Sequence, residues 1–297
     1  MHIPVLLHEA IEGLSITEGE TILDATLGGA GHAKEFCRLA GKRGTFVGID
    51  QDEGAVLRGK ETLALCPCKV ILRTGNFRNL DETLREVGIG SVDKIFFDLG
   101  FSSDQLDSSG RGFSFQRDEP LMMTLKENPD ENDTTARDIV NDWEPENIEL
   151  VLKGFGEERL AKRITGAIVE ARRKKPIETS GELAALIEGA VGRRGKIHPA
   201  TKTFQALRIA VNDELKALPE ALEKAINHLK PGGRVAVISF HSLEDRIVKF
   251  FFREATTRGV GNVLTKKPIV PTKEEQKDNP RSRSAKLRLF EKKHENH

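Results

Sequence analysis

Apolar residues in the first hundred positions fall into short β-rich runs, each followed by a stretch of helical composition. Thr21–Thr26 (TILDAT) predicts a short buried strand, broken by Gly28-Gly29-Ala30-Gly31, after which His32–Ala40 is helical in composition. Gly44–Asp50 (GTFVGID) is a second β-rich run and leads into a helix through about Leu65. Lys69–Arg73 is a third strand, Asn79–Val87 a helix, and Val92–Leu99 (VDKIFFDL) a fourth strand. Strand, crossover and strand in repetition predict a parallel sheet with helices on both faces.

The alternation then stops. From about Asp104 to Ala200 there is no convincing strand, while Ile148–Phe155, Glu157–Lys174 and Ser180–Val191 pattern as helices. Ser180 and Glu182 open the last of these like a cap followed by an acidic first turn. Thr201–Leu229 predicts a long helical region divided at Pro219. Pro231-Gly232-Gly233 leads into Arg234–Phe240 (RVAVISF), a β-branched strand, and Leu243–Arg253 is helical. Two last strands are expected near Gly261–Val270 and Ser284–Phe290. The sheet therefore resumes after an insertion. The expected architecture is an α/β domain made of residues 1–105 and 201–297, with residues 106–200 forming an inserted all-helical domain.

Composition changes this picture little, but charge distribution adds to it. Lys+Arg and Asp+Glu are equal at 46 each, so net charge alone argues for no polyanionic partner. Between Asp118 and Glu158, however, thirteen acids face three bases, and between Arg159 and Arg208 twelve bases face four acids. Arg281, Arg283, Lys286, Arg288, Lys292 and Lys293 form a further basic cluster near the end. A neutral protein with such asymmetry can present a nucleic-acid face, and solvated helix faces give the same pattern. The three cysteines, Cys37, Cys66 and Cys68, lack a second pair at metal-ligand spacing, so free thiols and no metal are expected. Met1-His2-Ile3-Pro4 does not open a secretory leader, and no apolar run approaches the roughly 18 residues of a membrane span. A cytoplasmic protein is expected.

Ligands of an open parallel sheet sit beyond the carboxyl ends of its strands. The first predicted strand carries Asp24 and then the glycine-rich turn ending in His32, where the backbone can approach a ligand closely and the helix start offers N–H groups to a carboxylate. The second ends in Asp50, able to accept both hydroxyl protons of a ribose. The third is followed by Gly75-Asn76-Phe77, with Phe77 placed to pack on an adenine. The fourth ends in Asp98. Strand-end groups in this order point to S-adenosylmethionine. The rival nicotinamide-binding reading needs a third glycine, and His32-Ala33-Lys34 follows Gly31 instead.

Longer blocks carry a resemblance. His2–Glu9 (HIPVLLHE), Asp24–His32 (DATLGGAGH), Asp98–Gln105 (DLGFSSDQ), Arg111–Phe115 (RGFSF), Gly156–Ile164 (GEERLAKRI), His198–Asn212, Pro231–Arg246 and Asn279–Arg283 (NPRSR) together span the chain. In these blocks the chain resembles the bacterial 16S rRNA cytosine-N4 methyltransferase family, known as RsmH or MraW. The resemblance implies a class I S-adenosylmethionine-dependent methyltransferase fold (Rossmann-like, mostly parallel). It implies cofactor contacts at Ala30, Gly31, His32, Asp50, Phe77, Asp98 and Gln105. It also implies methylation of one cytosine N4 in the decoding region of 16S rRNA on the small ribosomal subunit. One block departs: members usually read Pro-Leu-Asp-Met-Arg-Met-Asp where this chain has Pro120-Leu121-Met122-Met123-Thr124-Leu125-Lys126.

Methyl transfer to a cytosine amine needs the nitrogen held in line and its N–H groups bonded to an acceptor. Asp98, at the fourth strand end, is the expected catalytic group. Phe101, Phe113 and Phe115 are candidates to stack on a flipped base, with core burial expected for at least one. Asn212, Ser239 and His241 are further candidates, His241 either as proton acceptor or as a structural histidine. Arg172, Arg173 and Lys174, with Arg193, Arg194 and Lys196, are expected RNA contacts in the insertion, joined by Arg281 and Arg283. Open alternatives are methylation of another nucleic-acid or protein amine, and a non-catalytic RNA-binding assembly factor. The oligomeric state is open, a homodimer being one option.

Overall fold

The computed structural model describes residues 4–100, 109–192 and 198–294. They divide into two compact units, one from the chain up to Gly100 together with Leu215 onward, the other from Phe101 to Glu214. No described helix is long and apolar enough to cross a membrane.

The first unit holds a seven-stranded sheet. Its strands are β1 (Thr21–Asp24), β2 (Thr45–Asp50), β3 (Lys69–Thr74), β4 (Val92–Asp98), β5 (Leu229–Ser239), β6 (Gly261–Val263) and β7 (Lys286–Lys292). They run in the order β3-β2-β1-β4-β5-β7-β6. The first five are parallel; β7 is antiparallel to both β5 and β6. This is the mostly parallel, Rossmann-like α/β sheet expected from the sequence.

Successive side chains of a strand point to opposite faces, and a parallel sheet covered on both sides buries both sets. Ile22, Phe46, Phe96, Ala236 and Leu289 belong to one core. Their neighbours Leu23, Val47, Ile95, Phe97 and Val235 belong to the other. This explains why the strands read as continuous apolar runs. Helices α1 (Leu7–Leu14) and α2 (Gly31–Ala40) pack on the first face, and α4 (Leu80–Glu86) and α10 (Glu214–His228) contribute to the second; α3 (Glu53–Thr62) joins β2 to β3.

The second unit gathers α5 (Ala136–Asp142), α6 (Pro145–Gly156), α7 (Ala161–Arg172), α8 (Ser180–Val191) and α9 (Thr201–Asn212) around a third core. It contains no strand among the described residues, only an isolated bridge between Pro120 and Thr179. Thr179, one residue before the expected Ser180, is the N-cap of α8, in a capping box with Glu182.

Several boundaries differ from the sequence reading. Residues from Thr201 were assigned to the sheet domain, but α9 packs with α6 in the second unit and contributes Phe204, Ala206 and Leu207 to its core. The long helical region breaks at Asp213, which adopts φ 49°, and Pro219 lies inside α10. Proline removes only its own N–H donor, whereas a left-handed residue redirects the chain. Pro231-Gly232-Gly233 is a bulge within β5: Val92 pairs with Leu229 and Lys94 with Arg234. The strand expected over Gly261–Val270 shrinks to three residues. Helices α1, α11 (Ser242–Thr257) and α12 (Lys273–Asp278) complete the first unit; of these, α1 and α12 had no counterpart in the sequence reading.

Candidate active site

The chemistry-bearing residues of the first unit collect at the carboxyl ends of β1, β2, β4 and β5. β1 leaves the sheet at Asp24, and its exit is pinned by main-chain bonds from Ala25 N–H to Phe96 O (2.9 Å) and from Leu27 N–H to Ile49 O (2.9 Å). The turn that follows needs left-handed backbone at Gly28 (φ 51°) and at Ala30 (φ 58°), the residue preceding α2. Gly31 has a different reason to be glycine: a Cβ there would stand 2.5 Å from Pro4 Cγ. No side chain caps α2 at Ala30.

Three acids surround this loop. Asp50 accepts from Gly28 N–H (2.7 Å) on one oxygen and from Asp52 N–H (2.9 Å) on the other. A carboxylate offers about four lone-pair sites, so one remains on each oxygen. Burial pushes Asp50 up to about 6, against the bonds from Asp52 and Gly28. Asp24 is buried and bonded from Thr26 N–H (3.0 Å). Burial, with the nearby Asp50, carries it to about 7. Asp98 is pushed well above the carboxylate range by burial, then by Asp24 and Glu244. Its Oδ1 is a buried oxygen without a hydrogen-bond partner.

Two histidines differ from each other in their surroundings. His32, on α2, is buried, with Nε2 2.9 Å from Val5 O and Nδ1 3.6 Å from Asp98 Oδ2. Its ring rests on Phe96, with centroids 4.6 Å apart. His241 is the N-cap of α11: Nδ1 accepts from Glu244 N–H (3.3 Å), and Glu244 accepts from Phe240 N–H (2.9 Å) and His241 N–H (3.2 Å). Of the two readings of His241, the structural one matches this capping geometry. Phe77 sits in a 3₁₀ turn after β3, partly buried and edge-on to Phe97.

The residues missed by the sequence reading are Thr26 and Glu244. Thr26 accepts the Asp98 N–H at 2.6 Å. Glu244 was legible as the partner in a capping box, three residues beyond His241.

These donors and acceptors suit S-adenosylmethionine. An uncapped helix start matches a carboxylate, the spare lone pairs of Asp50 match a vicinal diol, and Asp24, buried, with Asp98, partly buried, matches a cationic centre. Gln105 and Phe101 lie outside the described residues, as do Arg193, Arg194 and Lys196.

The second unit corrects several expectations. Arg172 is engaged within the fold: Nη1 donates to Val140 O (3.0 Å) and Trp143 O (2.8 Å). Arg173 and Lys174 are exposed, as are Arg281 and Arg283 of the first unit, in the 3₁₀ turn Pro280–Ser284. Phe113 is buried in the core, while Phe115 stacks on His198 with ring centroids 4.4 Å apart. Asn212, expected within the α/β domain, ends α9 of the second unit and clamps another segment. It accepts from Leu125 N–H (2.8 Å) and donates to Met123 O (2.8 Å). Arg111 Nη1 donates to Leu125 O at 2.9 Å. The block that departs from the resembled pattern is thus held by its main chain, and its Met123 and Leu125 side chains enter the core.

Comparison with known proteins agrees with this geometry. Residues 1–293 match the MraW methylase family. Ribosomal RNA small subunit methyltransferase H of Brevibacillus brevis is 44% identical over 309 residues, covering 98% of each chain. The protein of the same name from a Paenibacillus species is 45% identical over 315 residues, covering 98% of this chain and 99% of its own. The chain belongs to the MraW methylase family: it is a methyltransferase, and S-adenosylmethionine is its methyl donor.

Proposed function

We propose that the chain methylates the exocyclic N4 of a cytosine in the decoding region of 16S rRNA, presented on the small ribosomal subunit, in the cytoplasm. The rRNA and small-subunit assignments draw on the names of relatives matched over at least 98% of their own length, and the cytosine N4 on the family blocks from Asp98 to Phe115 and His198 to Arg246. The single structural observation that carries the chemistry is the buried, unpartnered Oδ1 of Asp98 at the end of β4.

A cytosine amine is a poor nucleophile because its lone pair is delocalised into the ring. S-adenosylmethionine supplies an activated sulfonium methyl. The protein's task is to hold the amine in line and to accept its N–H groups as positive charge develops on nitrogen. Asp98 Oδ1 is placed to accept one N–H and then the proton released when the new N–C bond forms. Asp24 and Asp98 lie together in a buried setting, where a bound cation favours their charged forms. Asp50 would hold the ribose hydroxyls through its two spare lone pairs, the loop and helix start at Ala30, Gly31 and His32 would receive the methionine end, and Phe77 would pack on the adenine. Gln105 adds a contact implied by the family. The second unit recognises substrate, with Arg173 and Lys174 on phosphates, together with Arg193, Arg194, Lys196, Arg281 and Arg283.

The test is incubation with labelled S-adenosylmethionine and small subunits, free rRNA or DNA, followed by nucleoside analysis. Labelled N4-methylcytidine from subunits is the expected product. Label in another nucleoside or in protein would replace the acceptor, and RNA binding without label would make the chain an assembly factor.

A further inference from the structure

β1 is shorter than its neighbour. Its last paired residue, Asp24, lies opposite Phe96, whereas β4 continues for two more residues to Asp98. The main chain of β1 has turned away into the loop by then, so the Asp98 N–H has no ladder carbonyl to meet on that side. Its other neighbour is occupied by the following residue, since Leu99 N–H bonds to Ile238 O of β5 at 2.9 Å. The Asp98 N–H bonds to a side chain, Thr26 Oγ1, at 2.6 Å.

A threonine hydroxyl carries one proton and can accept as well as donate. Here it accepts from the Asp98 N–H, while the Thr26 N–H donates to Asp24 Oδ1 at 3.0 Å. Thr26 therefore ties both acids to the turn after β1, Asp98 through its side chain and Asp24 through its main chain.

We infer that Thr26 is the positioning residue of the methyl-transfer centre: its hydroxyl fixes the main chain of Asp98 to the end of β1. The inference rests on the reading of Asp98 as the group that receives the amine proton. It adds a residue outside the proposed substrate and cofactor contacts that sets the geometry of the acid. Valine has the shape of threonine and cannot accept the Asp98 N–H; serine can.

The test compares wild type, Thr26→Ser, Thr26→Val and Asp98→Asn in three measurements: methyl transfer, thermal unfolding, and hydrogen exchange of the Asp98 amide in protein without cofactor. Thr26→Val should remain folded and lose turnover about tenfold, the equivalent of one hydrogen bond. The Asp98 amide should exchange faster in the same variant, because its acceptor has gone. Thr26→Ser should restore turnover and exchange. Should Thr26→Val fail to fold, Thr26→Ser against Thr26→Ala gives the same contrast without the branched methyl. Wild-type turnover and unchanged amide exchange in Thr26→Val, with Asp98→Asn impaired, would overturn the inference. Full turnover in Asp98→Asn would instead remove the reading of Asp98; the amide exchange, which needs no catalysis, would still report on Thr26.

Discussion

His32 faces Asp98 with one ring nitrogen, Nδ1 to Oδ2 at 3.6 Å, and Val5 with the other, Nε2 to O at 2.9 Å. A carbonyl only accepts, so Nε2 donates to Val5 O, and Nδ1 is the nitrogen turned toward the acid. Burial, then Asp24 and Glu244, raise the affinity of Asp98 for a proton.

Replacing His32 by Phe keeps an aromatic ring against Phe96 and Phe36 and deletes both nitrogens. The Val5 carbonyl then loses its donor, which costs about 1–3 kcal/mol when the acceptor stays buried. Urea unfolding should register that loss. Methyl transfer should fall further than stability explains, because Asp98 also loses the polar nitrogen that faces it; a variant that is destabilised yet turns over normally would exclude His32 from the reaction.

Asp98→Asn should lower turnover by about two orders of magnitude, the usual cost of removing one aligned acceptor or donor at a developing charge. The same change should stabilise the protein without cofactor at neutral pH, since an amide can occupy the buried position without charge. Paired measurement of turnover and melting temperature separates the two effects. Loss of both together would mean that Asp98 is chiefly a structural group.

The stability of the cofactor-free protein should fall with rising pH. Asp24 and Asp50 titrate near 7 and 6 in the fold, above their ordinary carboxylate values. A raised group favours the protonated fold: its contribution is complete below the unfolded-state pKa, near 4, and is lost as pH climbs through the folded value. Melting temperature should therefore decline between about pH 4 and pH 7 by this linkage. Asp24→Asn should flatten the upper part of the decline. Binding of a cation should release protons, which calorimetry in buffers of different ionisation enthalpy measures. A flat melting profile in wild type would contradict this account of the acids.

His241 should tolerate replacement by another capping residue. His241→Asn keeps an acceptor for the Glu244 N–H, whereas His241→Ala removes it at a cost of about 1 kcal/mol. The expected result is that both variants keep the wild-type pH profile of methyl transfer and only the alanine variant melts earlier. A pH limb lost in both would return His241 to the mechanism as a proton acceptor.

Much of this site was legible in the sequence because strand ends announce themselves. A continuous apolar run that stops at Asp24, Asp50 or Asp98 places each acid at the same sheet edge once the strands are known to be parallel. What remained hidden depended on contacts between distant residues. Thr26 looks like an ordinary loop residue until β4 is seen to outrun β1. Pro219 is the conspicuous helix breaker, yet the break falls at Asp213, whose left-handed backbone has no strong residue signature. Arg172 belongs to a basic run that reads as one surface, and only packing shows that it turns inward to two carbonyls while Arg173 and Lys174 face solvent.

That division of the basic run gives the last prediction. Arg173→Gln with Lys174→Gln should weaken binding of small subunits and reduce its salt dependence, because two phosphate-neutralising charges are gone. Cofactor affinity and melting temperature should not change, since both side chains are exposed. Arg172→Gln should do the opposite. It leaves the carbonyls of Val140 and Trp143 without their shared donor and should lower the melting temperature, with little effect on the salt slope. Binding titrations at several salt concentrations, set beside thermal unfolding, distinguish the two variants. An unchanged salt slope in the double variant would take this surface out of the RNA contact and leave recognition to the other basic groups.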